Sequence, residues 1–253
     1  MTVVCEQRDR TLVLTIDRPR AKNAIDQDVA DSLLRALEEA ATNTSVHSIL
    51  LAATGDVFLS GGDLKQLAAL PTDASGAAAV LAYGPALAAI ERCPLPVIAA
   101  VHGEVLGGGC ELLLMCDLVI MEEQAGMRFA HVKMGLCPAW GASTRLLERI
   151  GRPRAADLLL SGRRIDAAEA KAWGLITEVC PSNCAQSVAM AHADRFAQTS
   201  REVLCRLKGS LSAAEGARRD DGFAREAEVF IEAWGKEPHQ AAMAAFRTRD
   251  RQR

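Results

Sequence analysis

The chain has 253 residues, 49% of them hydrophobic and 24% charged, with a formal net charge of −3. This is ordinary globular composition, with enough apolar mass for a full core in one large domain or two small ones. The slightly acidic balance gives no electrostatic case for nucleic acid, and an aromatic content of 4% offers few platforms on which bases could stack.

Residues 3–6 and 11–16 are short β-like runs on either side of Arg8-Asp9-Arg10, which predicts a hairpin. Lys22-Asn23-Ala24-Ile25 follows as a loop. Asp26 is placed to cap a helix to about residue 41, with Val29, Leu33, Leu34 and Leu37 on one face. Residues 48–53 read as a buried strand. A glycine-containing turn follows within 55–65, then a loop of small polar residues at 71–76 and an alanine-rich helix over 77–91. The stretch 97–117 begins as a buried β-branched strand, breaks at Gly103, and passes through Gly107-Gly108-Gly109 into a buried helix over about 110–115. A buried strand (117–121), a short edge strand (127–130) and an irregular segment (131–140) come next. Helices are expected at 142–150 and 153–160, with Pro153 suited to a first turn. Asp166-Ala-Ala-Glu169 is a capping box for a helix ending at Gly174, and a last strand follows at 175–180. Beyond residue 183 the pattern is helical throughout: 184–198, 201–214, 217–234 and 238–248. Strands alternate with helices and then helices stand alone, which predicts an α/β core over 1–198 and a helical C-terminal region over 199–253.

The eight cysteines (5, 93, 110, 116, 137, 180, 184 and 205) follow no regular spacing, and the tightest pair, Cys180 and Cys184, has no matching histidine pair. No zinc or other metal site is therefore expected. Cys110 and Cys116 sit in apolar runs and are expected to be reduced and buried, as in a cytoplasmic protein. Residues 1–10 lack the apolar stretch of a signal peptide, and no run approaches the roughly 18 apolar residues of a membrane span.

The glycine stretch carries the first chemical signal. Glycines at a helix start let a ligand approach the backbone, where the first N–H groups have no intrahelical partner and the dipole favours negative charge. Glu111, three residues after Gly108, shares roughly the same face. A bare donor beside a carboxylate points to chemistry on a polarised carbonyl. Close helix–strand packing and a charge complementing the dipole would explain the same residues, so this stretch alone leaves both readings open.

The ordered set of motifs is more specific. F-L-S-G-G-D-L (58–64) and H-G-E-V-L-G-G-G-C-E (102–111) closely resemble the enoyl-CoA hydratase, or crotonase, superfamily. D-R-P-R-A-K-N-A-I (17–25), M-G-L-C-P (134–138), the segment 161–176 and A-A-F-R-T-R (244–249) are similar to further family segments, so the resemblance spans the chain. It implies a spiral of stacked ββα units with a helical C-terminal region that packs trimers, often paired into hexamers. It implies an acyl-CoA thioester whose oxygen, turned enolate-like, is held by two backbone N–H groups, here those of Gly62 and Gly108. Ser60, Gly61, Asp63 and Leu64 belong to the same substrate-binding segment. Lys22 and Ala24 match the coenzyme A loop, and Phe246 and Arg249 match a segment near the adenine and phosphates. Coenzyme A is expected only as part of the substrate, with no further cofactor.

Hydratases of this family use two glutamates. Glu111 matches the first, but His131 stands at the place of the second. The segment F-A-H-V-K-M-G-L-C-P-A-W-G (129–141) looks more like the ethylmalonyl-CoA decarboxylase branch. Loss of carbon dioxide from a malonyl-type thioester gives the enolate without a base, and His131 or Glu111 would then return a proton. Decarboxylation is accordingly the leading expectation. Hydration, double-bond isomerisation and a catalytically weak acyl-CoA-binding oligomer are the alternatives. Trp140 is expected to shape the acyl pocket.

Overall fold

A computed structural model describes residues 2–251. The strands, in chain order, are β1 (Val3–Arg8), β2 (Thr11–Ile16), β3 (Ser48–Ala53), β4 (Val57–Leu59), β5 (Val97–Val101), β6 (Glu104–Leu106), β7 (Leu118–Glu122), β8 (Gly126–Arg128), β9 (Arg164–Asp166) and β10 (Glu178–Cys180). The helices are α1 (Gln27–Thr42), α2 (Leu64–Leu67), α3 (Ala74–Leu81), α4 (Tyr83–Leu87), α5 (Ala89–Arg92), α6 (Gly108–Leu113), α7 (Ala142–Ser161), α8 (Ala167–Trp173), α9 (Ala185–Ala197), α10 (Arg201–Ala233) and α11 (Glu237–Arg251).

Two sheets form, one ordered β1-β2-β3-β5-β7-β10 and the other β4-β6-β8-β9. In each of the pairs β3/β4, β5/β6 and β7/β8 the first strand enters the large sheet and the second enters the small one. Each pair is followed by helix: α2 to α5, then α6, then α7. This is the spiral of ββα turns expected from the resemblance. β3, β5 and β7 run parallel, and β5 is buried along its whole length, as parallel strands covered on both faces require. The pleat divides their side chains between two cores. Ile49, Leu51, Val97, Ala99 and Val119 face the main core; Leu50, Ala52, Ile98, Ala100 and Ile120 face α9. There α9 presents Ala185, Ala189 and Ala193, a row of small side chains that lets the helix lie close to the sheet.

The hairpin β1–β2 and the Asp26 cap, which accepts from the Val29 N–H at 2.9 Å, are as expected. α7 breaks at Gly151 (φ 71°, ψ 167°), so the two helices expected on either side of it are present. Several expectations need correction. Residues 201–233 are one helix through Gly216, the last strand is confined to Glu178–Cys180, and β4, β6 and β9, three residues each, are too short for periodicity to reveal. The stretch Ala74–Arg92 is long and apolar enough, by length and composition, to cross a membrane. Here Ala77 and Leu87 are fully buried within the main core. All eight cysteines are free. Burial pushes the Cys116 thiol up to about 12 and raises Cys110 further still.

α10 is tied to the α/β part of the chain. Lys208 Nζ donates to the Leu95 carbonyl at 3.0 Å and pairs with Asp117 at 2.6 Å.

Candidate active site

Two loops meet at the point from which α2 and α6 start. After β4 the chain runs through Ser60 and Gly61 alongside the Lys22–Ile25 loop: Ser60 N donates to Lys22 O, Ile25 N to Gly61 O, and Asp63 N to Ile25 O. Asn23 locks that loop. It is fully buried, in the left-handed region (φ 53°), and its amide donates to the Thr54 and Val57 carbonyls at 2.7 and 2.8 Å. Gly61 has φ +87°, and a Cβ on it would lie 2.9 Å from Leu106 O and 3.0 Å from Gly108 N. Only glycine permits this approach. It brings Gly62 and Gly108, 46 positions apart in sequence, to neighbouring places. Among the described residues neither the Gly62 nor the Gly108 amide donates to a protein acceptor. For Gly108 this is the orphan donor of a helix start.

Glu111 lies one turn into α6 and is 1% exposed. Its Oε1 accepts from His131 Nε2 at 3.0 Å and from Ala139 N at 3.4 Å; its Oε2 accepts from Trp140 N at 2.8 Å and Ala142 N at 3.2 Å. A buried carboxylate needs partners of this kind to remain charged. His131 sits in the 3₁₀ turn Ala130–Met134, and among the described residues its buried Nδ1 has no hydrogen-bond partner. With Nε2 donating to the carboxylate, Nδ1 accepts in the neutral form of the ring and donates in the protonated form.

Trp140 closes this region. A Cβ on Gly108 would fall 2.2 Å from Trp140 Cζ3, and one on Gly62 3.9 Å from Cη2. The indole Nε1 donates to the Val80 carbonyl at 3.0 Å, and the ring tilts against Tyr83 with centroids 6.2 Å apart. The arrangement can place an electron-rich oxygen on two glycine amides, with a carboxylate–imidazole pair able to take or give a proton nearby.

The sequence profile of the enoyl-CoA hydratase/isomerase family matches residues 6–252. The chain belongs to the enoyl-CoA hydratase/isomerase family. It is 34% identical over 245 residues to a probable enoyl-CoA hydratase of Mycobacterium bovis, covering 97% of this chain and 94% of that one. It is 30% identical over 236 residues to the ethylmalonyl-CoA decarboxylase of Bos taurus, covering 92% and 77%. The crystal structure of enoyl-CoA hydratase from Bacillus halodurans superposes with a TM-score of 0.89 at 27% identity, over 97% of this chain and all of that one.

The remaining residues expected of this family fall in two places. Lys22 is exposed and left-handed (φ 52°), and Ala24 is buried with its carbonyl taken by Arg18. Asp63 caps α2 through Lys65 N at 3.0 Å and pairs with Arg18 at 3.2 Å, so its carboxylate is engaged within the chain. Ser60 and Leu64 flank the glycines half-buried. Phe246 and Arg249 lie on α11. Phe246 is half-buried, and Arg249 is exposed with Nε on the Ala245 carbonyl. The side chain that joins α11 to the site's margin is Arg247, which donates to Ala68 O at 2.5 Å, beside a cleft of about 360 Å³ between residues 67–72 and α11.

Two buried charged residues that the sequence analysis does not single out bind the 139–143 segment. Arg145, 1% exposed, donates to the Trp140 carbonyl at 2.8 Å and pairs with Glu91 at 2.6 Å. Glu226, on α10, accepts from Gly141 N and from Ser143 N at 2.6 Å. The available signal was an acid between Phe223 and Phe230 on one helical face, a position that calls for a partner.

Proposed function

We propose that this protein acts on the double bond of an acyl-CoA thioester, as a hydratase or isomerase. The Gly62 and Gly108 amides receive the thioester oxygen, and Glu111 with His131 moves the proton. One observation carries the reading: two glycine amides with no acceptor among the described residues stand beside a buried carboxylate–imidazole pair 3.0 Å apart. Fixed donors act where charge develops on the oxygen, and a positioned acid–base group handles the proton at carbon. The hydratase names of relatives along nearly the whole chain support double-bond chemistry.

In isomerisation, Glu111 takes a proton from one carbon, the electron pair moves into the enolate held by the amides, and the pair returns the proton to another carbon. In hydration, one group deprotonates the water that attacks the β-carbon and the other protonates the α-carbon.

A second reading is favoured by His131 itself. A histidine in contact with Glu111 puts an imidazole, not a second carboxylate, beside the acyl group, so a substrate carboxylate meets one like charge fewer than in a two-glutamate site. The C–C bond to that carboxylate breaks, its electron pair enters the enolate, carbon dioxide leaves, and a proton from His131 or Glu111 completes the product. The similarity to the bovine decarboxylase supports this version.

Mass spectrometry of crotonyl-CoA, a 3-enoyl-CoA, and methylmalonyl- and ethylmalonyl-CoA incubated in heavy water separates the readings. Turnover of an enoyl ester is expected, with Glu111→Gln slower by about 100-fold or more. Consumption of malonyl esters alone sinks the first reading in favour of the second. Tight binding without product from any ester marks a binding protein.

We also propose self-association of this chain through α10, on which Val203, Leu207 and Leu211 form an exposed apolar row at helical spacing.

A further inference from the structure

Five successive backbone N–H groups, from Ala139 to Ser143, end on two buried carboxylates carried by different elements. Glu111 of α6 takes those of Ala139, Trp140 and Ala142. Glu226 of α10, 7% exposed, takes those of Gly141 and Ser143, one on each carboxylate oxygen. The strap 139–143 is thus held from two sides, and each carboxylate engages what the other leaves free. Its middle has no slack. Gly141 has φ +94°, and a Cβ there would lie 2.2 Å from Arg145 Nη1 and 2.7 Å from the Phe223 ring. Arg145 fixes the same strap through the Trp140 carbonyl, and its guanidinium lies 4.5 Å over Phe223.

We propose that Glu226 is a positioning residue for the reaction: it sets the 139–143 strap so that its amides orient the Glu111 carboxylate and its Trp140 ring covers Gly108. The inference rests on Glu111 being the acid–base group. Removing one acceptor from the strap releases a peptide two bonds from Trp140, and displacement of a reacting group by about 1 Å can cost about 100-fold in rate.

Charge supports the same assignment. Burial, and then the Glu111 charge, push the Glu226 carboxyl up, against the pull of the Ser143 and Gly141 amides. Glu111 faces it from α6, and His131 and Cys137 face it across a shared cavity of about 510 Å³. On α7, which packs against α10, Arg145 pairs with Glu91 and Glu148 with Arg219. Arg219 and Arg225 are on its own helix, and α3, also packed on α10, carries no charged side chain.

The test uses the full chain and whichever ester the substrate panel identifies. Glu226→Gln keeps the shape but turns one acceptor into a donor facing an N–H. Its kcat is expected to fall about 10- to 100-fold, with KM little changed, and the acidic limb of kcat/KM to move to lower pH. Glu226→Asp keeps the charge on a shorter reach; its kcat is expected to fall by less, with the limb in place. Trp140 emission, isolated by subtracting Trp140→Phe, is expected to shift in Glu226→Gln. Wild-type kcat and an unmoved limb in Glu226→Gln overturn the proposal. So does a lowered melting temperature with unchanged kcat per folded molecule. If Glu226→Gln does not fold, wild-type kcat in Glu226→Asp overturns it. An inactive Glu111→Gln beside a fully active Glu226→Gln sinks this inference alone, whereas a fully active Glu111→Gln sinks the acid–base reading with it.

Discussion

Gly108 and Trp140 constrain each other. The indole lies where a side chain on Gly108 would be, and Trp140 is pinned at both ends, by its backbone N–H to Glu111 and by its indole Nε1 to the Val80 carbonyl. Gly108→Ala is therefore expected to displace the ring and the amide together and to lower kcat by about 100-fold, the usual effect of losing one fixed donor. The double variant Gly108→Ala with Trp140→Ala removes the clash. It is expected to regain the melting temperature lost in the single variant without regaining its rate. Comparing thermal melts with steady-state rates for the two proteins tests this, and equal rates in Gly108→Ala and wild type would show that Gly108 does not serve the reaction. Glu111 and the glycine pairs were legible as residues because their spacing on a helix start is local. Glu226 and Arg145 were not, because their partners are backbone groups of a strap 85 and 5 positions away, and a backbone donor leaves no letter in the sequence.

At the scale of elements, α11 and the turn before it hold the His131 segment in place. A Cβ on Gly135 would meet His239 N at 2.5 Å, so the start of α11 lies directly on the end of the 3₁₀ turn that carries His131. His239 anchors that start. It is 4% exposed, its Nδ1 accepts from Gly235 N at 3.0 Å, and its ring lies tilted against Trp234 with centroids 4.4 Å apart, while among the described residues its buried Nε2 has no partner. Burial lowers its proton affinity below that of a free histidine, which is about 6.5. The neutral ring is thus the form that fits. Its contribution to stability is complete above about pH 6.5 and is lost as pH falls through the lower value in the folded chain. Acidification is expected to loosen α11 before the sheets unfold. Trp234 emission should report this, and the same titration of His239→Gln should lack the early transition. A coincident loss of sheet and Trp234 signals in the parent chain would rule out the separate step. The helical nature of this region was readable from its pattern, but its docking was not, since periodicity says which face is apolar and not what it meets.

The whole molecule is a spiral whose successive turns each contribute one strand to either sheet, with α10 lying across the result. The apolar row on α10 leaves Leu207 58% and Leu211 67% exposed, more than an isolated chain of this size would be expected to leave along one helix. Sedimentation is expected to find more than one copy per particle, and Leu207→Asp with Leu211→Asp to shift the population to monomers while secondary structure is retained. A monomeric parent chain would discard the self-association proposal.

The sequence by itself determined the order of the longer strands, the α/β character, the glycines at two helix starts and Glu111 one turn beyond, because each depends on a run of neighbouring residues. Its ordered motifs also pointed to the family. Only the tertiary structure decided that Gly61 presses against the Gly108 amide, that His131 touches Glu111, and that Trp140 covers Gly108. These contacts join segments tens of residues apart, and their distances depend on how the turns of the spiral stack. Three strands of the small sheet, β4, β6 and β9, were hidden for the same reason: their hydrogen bonds come from neighbouring turns of the spiral, not from any pattern of their own.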